Sequence, residues 1–394
     1  MEFRRIDALP PYVFATVDEL KRRLRHEGRD VIDLGFGNPD IPSPALVVEK
    51  LAEAAAKPAN HRYSASRGIP RLREAVAELY ARRFGVHVDA ERQVVATIGA
   101  KEGLAHLMWV LLEPGDVAVV PTPSYPIHLV APRLAGATVV AAHIEKDAVD
   151  GVEEAVRAAT PAPRVLVVSF PHNPTTAVAT PELMQRLVDL ARERELILVH
   201  DFAYADIAFD GHTPPSVLQA AGADECAVEL YSLTKSFSMA GWRVGFVVGR
   251  ADVVQALAKL KSYLDYGTFQ PIQIASIVAL RDVADYPVEV CEIYRSRRDA
   301  LCSGLARAGW DVEPPRGTMF VWAPIPEAFR PRGSLEFALQ LAQEASVAVS
   351  PGIGFGDGGD GHVRFALVEN EQRIAQATRS IKRLLARVDV GSSA

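Results

Sequence analysis

Lys235 stands in "YSLTKSFSMAGWRVGFVVGR", residues 231–250, between the apolar runs "CAVELYSL" and "GFVVG". The flanks predict burial, and a buried ammonium is costly unless it is paired, deprotonated or used covalently. Its neighbours are the hydroxyls of Ser232, Thr234, Ser236 and Ser238, with Arg243 eight residues on. The ordinary alternative is a lysine at a loop tip between two strands, reaching solvent. Other residues at the ends of apolar runs also carry chemistry. Asp201 ends "LILVHD", where a carboxylate needs a cation or donors; a helix cap or salt bridge would also explain it. Asn173 ends "RVLVVSFPHN", although Asn-Pro is more often a plain turn. "TIGAKEG", residues 97–103, joins a strand to a helix start, where free N–H groups seat anions; it also reads as an ordinary turn. Tyr125 in "PTPSYP" is a stacking ring or a core residue.

One ligand accounts for the whole set. Its anionic head suits Ala100, Lys101, Ser232 and Arg243, its aromatic ring Tyr125, its protonated ring nitrogen Asp201, and its electrophilic carbon Lys235. Pyridoxal 5′-phosphate (PLP) has all of these features, and a lysine beside cationic groups is the kind that condenses with aldehydes.

The elements that must position these residues alternate between helix and apolar strand. "TVDELKRRLRHEG" predicts a helix with Thr16 as cap, Glu19 three residues on and Gly28 as stop. "IPRLREAVAELYARRFG" predicts an amphipathic helix ended by Gly85, and "PELMQRLVDLARERE" another helix. "QVVATIG", "VAVVPT", "RVLVVSF", "LILVHD" and "AVELYSL" are strands of nearly continuous apolar character. Such strands separated by helices predict an α/β fold, a mostly parallel sheet covered by helices on both faces. From about residue 285 the pattern changes to a long helix, "TMFVWAPI", a helix near 335–346 and "HVRFALV", which predict a smaller α+β domain. The expected division is 1–44 as an N-terminal arm and part of the small domain, 45–285 as the large domain, and 286–394 as the small C-terminal domain.

Composition excludes several classes. The chain has 394 residues and a net charge of −6, so no basic surplus points to nucleic acid. Three scattered cysteines form neither a disulfide framework nor a CxxC site, which fits a reducing cytoplasm. "MEFRRIDALPPYVF" does not read as a signal peptide, and no apolar run is long enough for a membrane span.

The motifs resemble those of the fold-type I, class I/II aminotransferases over nearly the whole chain. "NPTT" resembles the family's Asn-Pro-Thr-Gly, with Thr176 in place of the usual glycine; "HDFAYAD" resembles its Asp-x-x-Tyr. "SLTKSFSMAGWRVGF" resembles its Ser-x-x-Lys followed by Gly-x-Arg-x-Gly, and "HVRFALV" its C-terminal arginine strand. "HRYSASRGIPRLREA" and "SYLDYGTFQPIQ" are most similar to the bacterial alanine (glutamate–pyruvate) branch. The resemblance implies that Lys235 carries PLP and shuttles the substrate proton, and that Asp201 pairs with the pyridinium nitrogen. It implies that Asn173 and Tyr204 bond the phenolic oxygen, and that Ala100, Lys101, Ser232 and Arg243 hold the phosphate while Tyr125 stacks on the ring. Arg364 would clamp the substrate α-carboxylate, with Asn173 beside it, and Gly37 would leave room over the substrate. Tyr63 would reach the other subunit's phosphate, which requires a homodimer. Tyr12 and Tyr125 are candidates for aromatic cover over a small side chain. No arginine stands in 251–275, where the aspartate-specific branch supplies one, so aspartate is not the expected substrate. The distal carboxylate of glutamate then needs another cation, with Arg67 or Lys101 as candidates.

The expected reaction is L-alanine plus 2-oxoglutarate to pyruvate plus L-glutamate. Alternatives are transamination of diaminopimelate, methionine or aromatic amino acids, a PLP-dependent C–S β-lyase, or a non-enzymatic regulator module of the same fold. Two other motif matches fail on context. Ser232-Leu-Thr-Lys235 lacks the Ser-Asp-Asn and Lys-Thr-Gly elements of serine β-lactamases. "GFGDGG", residues 354–359, precedes a strand instead of opening a helix, so it reads as a flexible loop and not a dinucleotide site.

Overall fold

The structure, a computed structural model, describes residues 1–7, 9–143 and 148–391. Seven strands form the main sheet: β1 (Val94–Thr97), β2 (Val117–Thr122), β3 (Thr138–His143), β4 (Val165–Ser169), β5 (Ile197–Asp201), β6 (Ala227–Ser232) and β7 (Gly245–Gly249). Their order is β1-β7-β6-β5-β4-β2-β3. Only β7 runs against its neighbours; the other pairings are parallel. The carboxyl ends Thr97, Thr122, Ser169, Asp201 and Ser232 therefore gather on one edge.

Both faces are covered, as the continuous apolar runs predict. Val94 and Ala96 pack with helix α2 (Pro70–Phe84), whereas Val95 between them packs with α3 (Ala100–Leu111) and α6 (Ala251–Leu264). Between α3 and α6 in the chain lie α4 (Pro126–Ala135) and α5 (Pro181–Glu193); α5 covers Leu166, Val168 and Leu198 through Leu187 and Val188. Each fully buried Val or Leu contributes about 1.5–3 kcal/mol. Helix α2 opens on Pro70, whose fixed φ suits a first turn, and stops at Gly85 with φ 67°.

Beyond α7 (Gln270–Arg281) and α8 (Tyr286–Ala306), strands β8 (Phe320–Pro324), β9 (Ser350–Pro351) and β10 (His362–Ala366) form a small antiparallel sheet in the order β9-β10-β8. The early strand Ile32–Asp33 pairs in parallel with Val347–Ala348. Helix α1 (Phe14–His26) buries Val17, Leu20 and Leu24 in one core with Phe337, Phe365 and Ile374. Two boundaries differ from the sequence reading. Helix α1 starts at Phe14 with no side-chain cap, so Thr16 lies inside its first turn. The helix expected near 335–346 is α9 (Gly333–Gln340) followed by a wider turn, Leu341–Ala345, closed by Ser346 at φ 55°.

Candidate active site

A cavity of about 430 Å³ opens between the carboxyl edge of the main sheet and β9–β10. Every candidate residue except Tyr63 and Arg67 lines it: Tyr12, Gly37, Ala100, Lys101, Tyr125, Asn173, Asp201, Tyr204, Ser232, Lys235, Arg243 and Arg364. Tyr63 is 84% exposed, lies outside the cavity, and packs at a tilt against Tyr266 with ring centroids 4.5 Å apart.

Lys235 sits on a single helical turn, Leu233–Ser236, directly after β6. Ser232 caps that turn by accepting from the Thr234 N–H, and Ser236 and Tyr231 both donate to Asp206. The Lys235 ammonium donates to the Gly37 carbonyl at 2.7 Å. Burial, with Arg364 and Arg243 adding repulsion, lowers its pKa to about 7. Much of it is therefore neutral, and nucleophilic, near neutral pH.

Asp201, at the end of β5, accepts from His128 Nε2 at 2.8 Å and from the Ala203 N–H at 3.1 Å. His128 Nδ1 in turn lies 2.7 Å from Ser124 Oγ. Nearby His172 is held neutral, its pKa pushed down to about 3 by burial and by His128.

The turn before α3 is shaped for an anion. Gly99 has φ 79°, and a Cβ there would lie 2.4 Å from Arg243 Nη2. A Cβ on Gly245 would lie 2.7 Å from the Ala100 nitrogen. The two glycines thus bring a guanidinium and the first-turn N–H groups, which have no intrahelical acceptors, to one spot. Lys101 holds its ammonium 5.2 Å from the Tyr125 ring centroid. Arg364 projects from β10, and Nη1 donates to Asn173 Oδ1 at 2.7 Å. Nη2 donates to the Gly35 carbonyl at 3.1 Å, and Nε is buried without a partner. Phe320 and Phe355 lie 3.9 and 4.6 Å from the guanidinium carbon. Burial lowers the Arg364 pKa to about 10, so it stays charged at neutral pH. Tyr204 brings its hydroxyl 3.5 Å from Asn173 Nδ2, and burial raises its pKa.

Among the described residues no carboxylate pairs with Lys101, Lys235, Arg243 or Arg364. Asp18 and Asp33, which also line the cavity, are paired with Lys21, so these unneutralised cations, the helix N-terminus and Asp201 suit an anionic guest with a cationic ring atom. The donors and the glycine-made space fit PLP and an amino-acid carboxylate.

Some expected features look different. A Cβ on Gly37 would lie 2.6 Å from Phe320, so this glycine makes room for that ring. Arg67 donates to the Glu91 carbonyl and does not line the cavity, whereas Lys101 does. Sequence reasoning missed His128, Phe320 and Phe355. It also missed the Asp18–Lys21–Asp33 ion-pair group on the α1 side of the cavity. His128 follows Tyr125 by three residues at the start of α4, and that helical spacing was the available signal.

The chain belongs to the aminotransferases of class I and II, whose family profile matches residues 29–381. It is a PLP-dependent aminotransferase. It is 50% identical over 382 residues to the glutamate-pyruvate aminotransferase AlaC of Escherichia coli, covering 96% of this chain and 93% of that one. It is 49% identical to the putative aminotransferase AatC of Rhizobium meliloti, covering 98% and 96%. The structure of apo-BacF from Bacillus subtilis superposes with a TM-score of 0.90 at 34% identity, covering 98% of both chains. Among the described residues no helix is long and apolar enough to cross a membrane.

Proposed function

We propose that the protein transfers the amino group of L-alanine to 2-oxoglutarate, giving pyruvate and L-glutamate. The observation that carries this reading is the convergence in one cavity of Lys235, Asp201 and Arg364, whose guanidinium meets no carboxylate among the described residues. Half identity to a glutamate-pyruvate aminotransferase supports the choice of substrates. When bound, PLP supplies an electron sink that acidifies the substrate Cα. Lys235 carries it, and Asp201, oriented by His128, keeps the pyridine nitrogen protonated. Arg243, Ser232 and the N–H groups of Ala100 and Lys101 hold the phosphate. Asn173 and Tyr204 bond the phenolic oxygen, and Tyr125 covers the ring. Arg364 fixes the α-carboxylate so that the Cα–H bond faces Lys235. Once its amine is free, Lys235 Nζ would take the proton from the substrate Cα and deliver it to the cofactor's C4′ carbon. Tyr12 and Tyr125 cover a methyl side chain, and Lys101 is the cation available to a distal carboxylate. A direct unpaired burial of that carboxylate would cost several kcal/mol.

The functional unit in this reading is a cytoplasmic homodimer in which exposed Tyr63 completes the partner's phosphate site. It has a large domain over 45–285, and a small one built from 286–394 and part of 1–44. No nucleic acid or membrane is a partner.

The test exposes holoenzyme to alanine, glutamate, aspartate, methionine, phenylalanine and diaminopimelate in turn, following the cofactor's visible absorbance. Alanine and glutamate are expected to convert it fastest. Faster conversion by aspartate or phenylalanine would refute the alanine assignment, and ammonia released with pyruvate would identify a lyase.

A further inference from the structure

Lys261, on α6, is fully buried, yet nothing in the proposed chemistry uses it. Its ammonium donates to Glu102 Oε1 at 2.8 Å and to Asp265 Oδ2 at 3.0 Å. His106 Nδ1 lies 2.8 Å from the same Glu102 oxygen. Glu102, His106 and Asp265 could by spacing hold a metal ion, but the lysine already supplies the cation between the two carboxylates.

What the two carboxylates do is more telling. Glu102 lies in the first turn of α3, and its other oxygen accepts from the Ile98 N–H at 2.9 Å. It thus ties the turn Ile98–Gly99–Ala100, where Arg243 and the free N–H groups converge. Asp265 Oδ1 accepts from the Gly267 N–H at 2.6 Å. Gly267 has φ 76°, and a Cβ there would lie 2.7 Å from the Ala65 carbonyl oxygen, so this loop lies directly on the Tyr63 segment. Tyr266 packs at a tilt against Tyr63, and Gln273 donates both to Ser64 Oγ at 2.9 Å and to the Thr268 carbonyl at 2.6 Å. One buried ammonium therefore joins the phosphate-binding turn to the loop that backs Tyr63.

We propose that Lys261 is a positioning residue for phosphate binding, acting through Glu102 on its own chain's turn and through Asp265 on the Tyr63 segment. The proposal rests on the PLP reading above. Stability alone does not call for this group, because replacing a whole buried ion pair by apolar residues is often neutral, whereas removing Lys261 alone would strand both carboxylates. Its electrostatic part is direct: without Lys261, Glu102 would be an uncompensated carboxylate beside a phosphate dianion. Burial by itself raises the Glu102 pKa, and the neighbouring His106 and Lys261 outweigh it, leaving the carboxyl below its ordinary value.

The test removes cofactor from wild-type and Lys261→Met enzyme and titrates each with PLP and with pyridoxal, which lacks the phosphate. Lys261→Met is expected to weaken PLP binding about tenfold or more and to change pyridoxal binding by less than about twofold. Adding Glu102→Gln, which removes the stranded charge nearer the phosphate turn and keeps an acceptor for Ile98, is expected to restore most of the PLP affinity. Lys261→Gln serves as the same measurement if the methionine variant fails to fold. Equal losses for both ligands, or no loss, would overturn the proposal by reducing Lys261 to a structural role. A wild-type protein with no preference for PLP over pyridoxal would instead overturn the PLP reading itself.

Discussion

Arg364 Nη1 donates to Asn173 Oδ1 at 2.7 Å, and this one bond links the small sheet to the loop after β4. With Phe320 and Phe355 against it, the guanidinium is fixed before any substrate arrives. A preset fork favours a carboxylate because little freedom is lost on binding.

Arg364→Lys is therefore expected to raise KM for alanine and for glutamate together, each about tenfold or more, since an ammonium cannot make the paired contact. Steady-state kinetics with both donors checks this. A change for only one of them would mean that Arg364 does not hold the common α-carboxylate.

Thr176 stands in the left-handed region at φ 63°. That is the position where the related motif has glycine, and a β-branched residue is strained there. The strain costs about 1–2 kcal/mol, against about 0.5–1 kcal/mol for the chain entropy of a glycine. Thr176→Gly is expected to raise stability by about 1 kcal/mol or less, read as a higher denaturation midpoint at unchanged m. A lower midpoint would show that the Thr176 side chain contributes more than its backbone conformation costs.

The Lys235 pKa of about 7 has a signed consequence. Between that value and the ordinary lysine value of about 10.4, the folded group is neutral while the unfolded one is charged. In cofactor-free protein, labelling of Lys235 by an amine-directed reagent is expected to rise with pH through a midpoint near 7. The unfolded chain binds more protons over this window, so wild-type stability relative to Lys235→Ala is expected to increase as pH rises. Labelling with a midpoint near 10 would contradict the burial argument.

Tyr63 lies outside its own chain's cavity. If it serves the partner's site, a heterodimer of Lys235→Ala and Tyr63→Phe chains holds one intact site, although neither parent homodimer does. Purified heterodimer is expected to be more active than either homodimer. Activity no higher than that of the Tyr63→Phe homodimer, or a fully active monomer by light scattering, would remove the shared site.

The sheet and most of the cavity were legible because continuous apolar runs locate buried parallel strands, and ligands gather where such strands end. Asp201, Asn173 and Lys235 all follow such runs, so sequence spacing led to them. His128, Phe320 and Phe355 were not legible in the same way. Each reads locally as an ordinary helix or core residue, and becomes a site residue only through contacts between distant segments. The Lys21–Asp33 pair, 2.7 Å apart, depends likewise on how α1 docks beside the Ile32–Asp33 strand. Thr16 failed as a cap because helix α1 begins two residues earlier, a boundary set by packing more than by cap chemistry.

The central claim is that Lys235 carries the cofactor and performs the proton transfer. Borohydride reduction of the holoenzyme, followed by proteolysis and mass mapping, tests it most directly. The cofactor mass is expected on the peptide containing Lys235 and nowhere else, with Lys235→Ala still binding through the phosphate seat but not turning over. Label on any other lysine, or near-normal turnover by Lys235→Ala, would contradict the account.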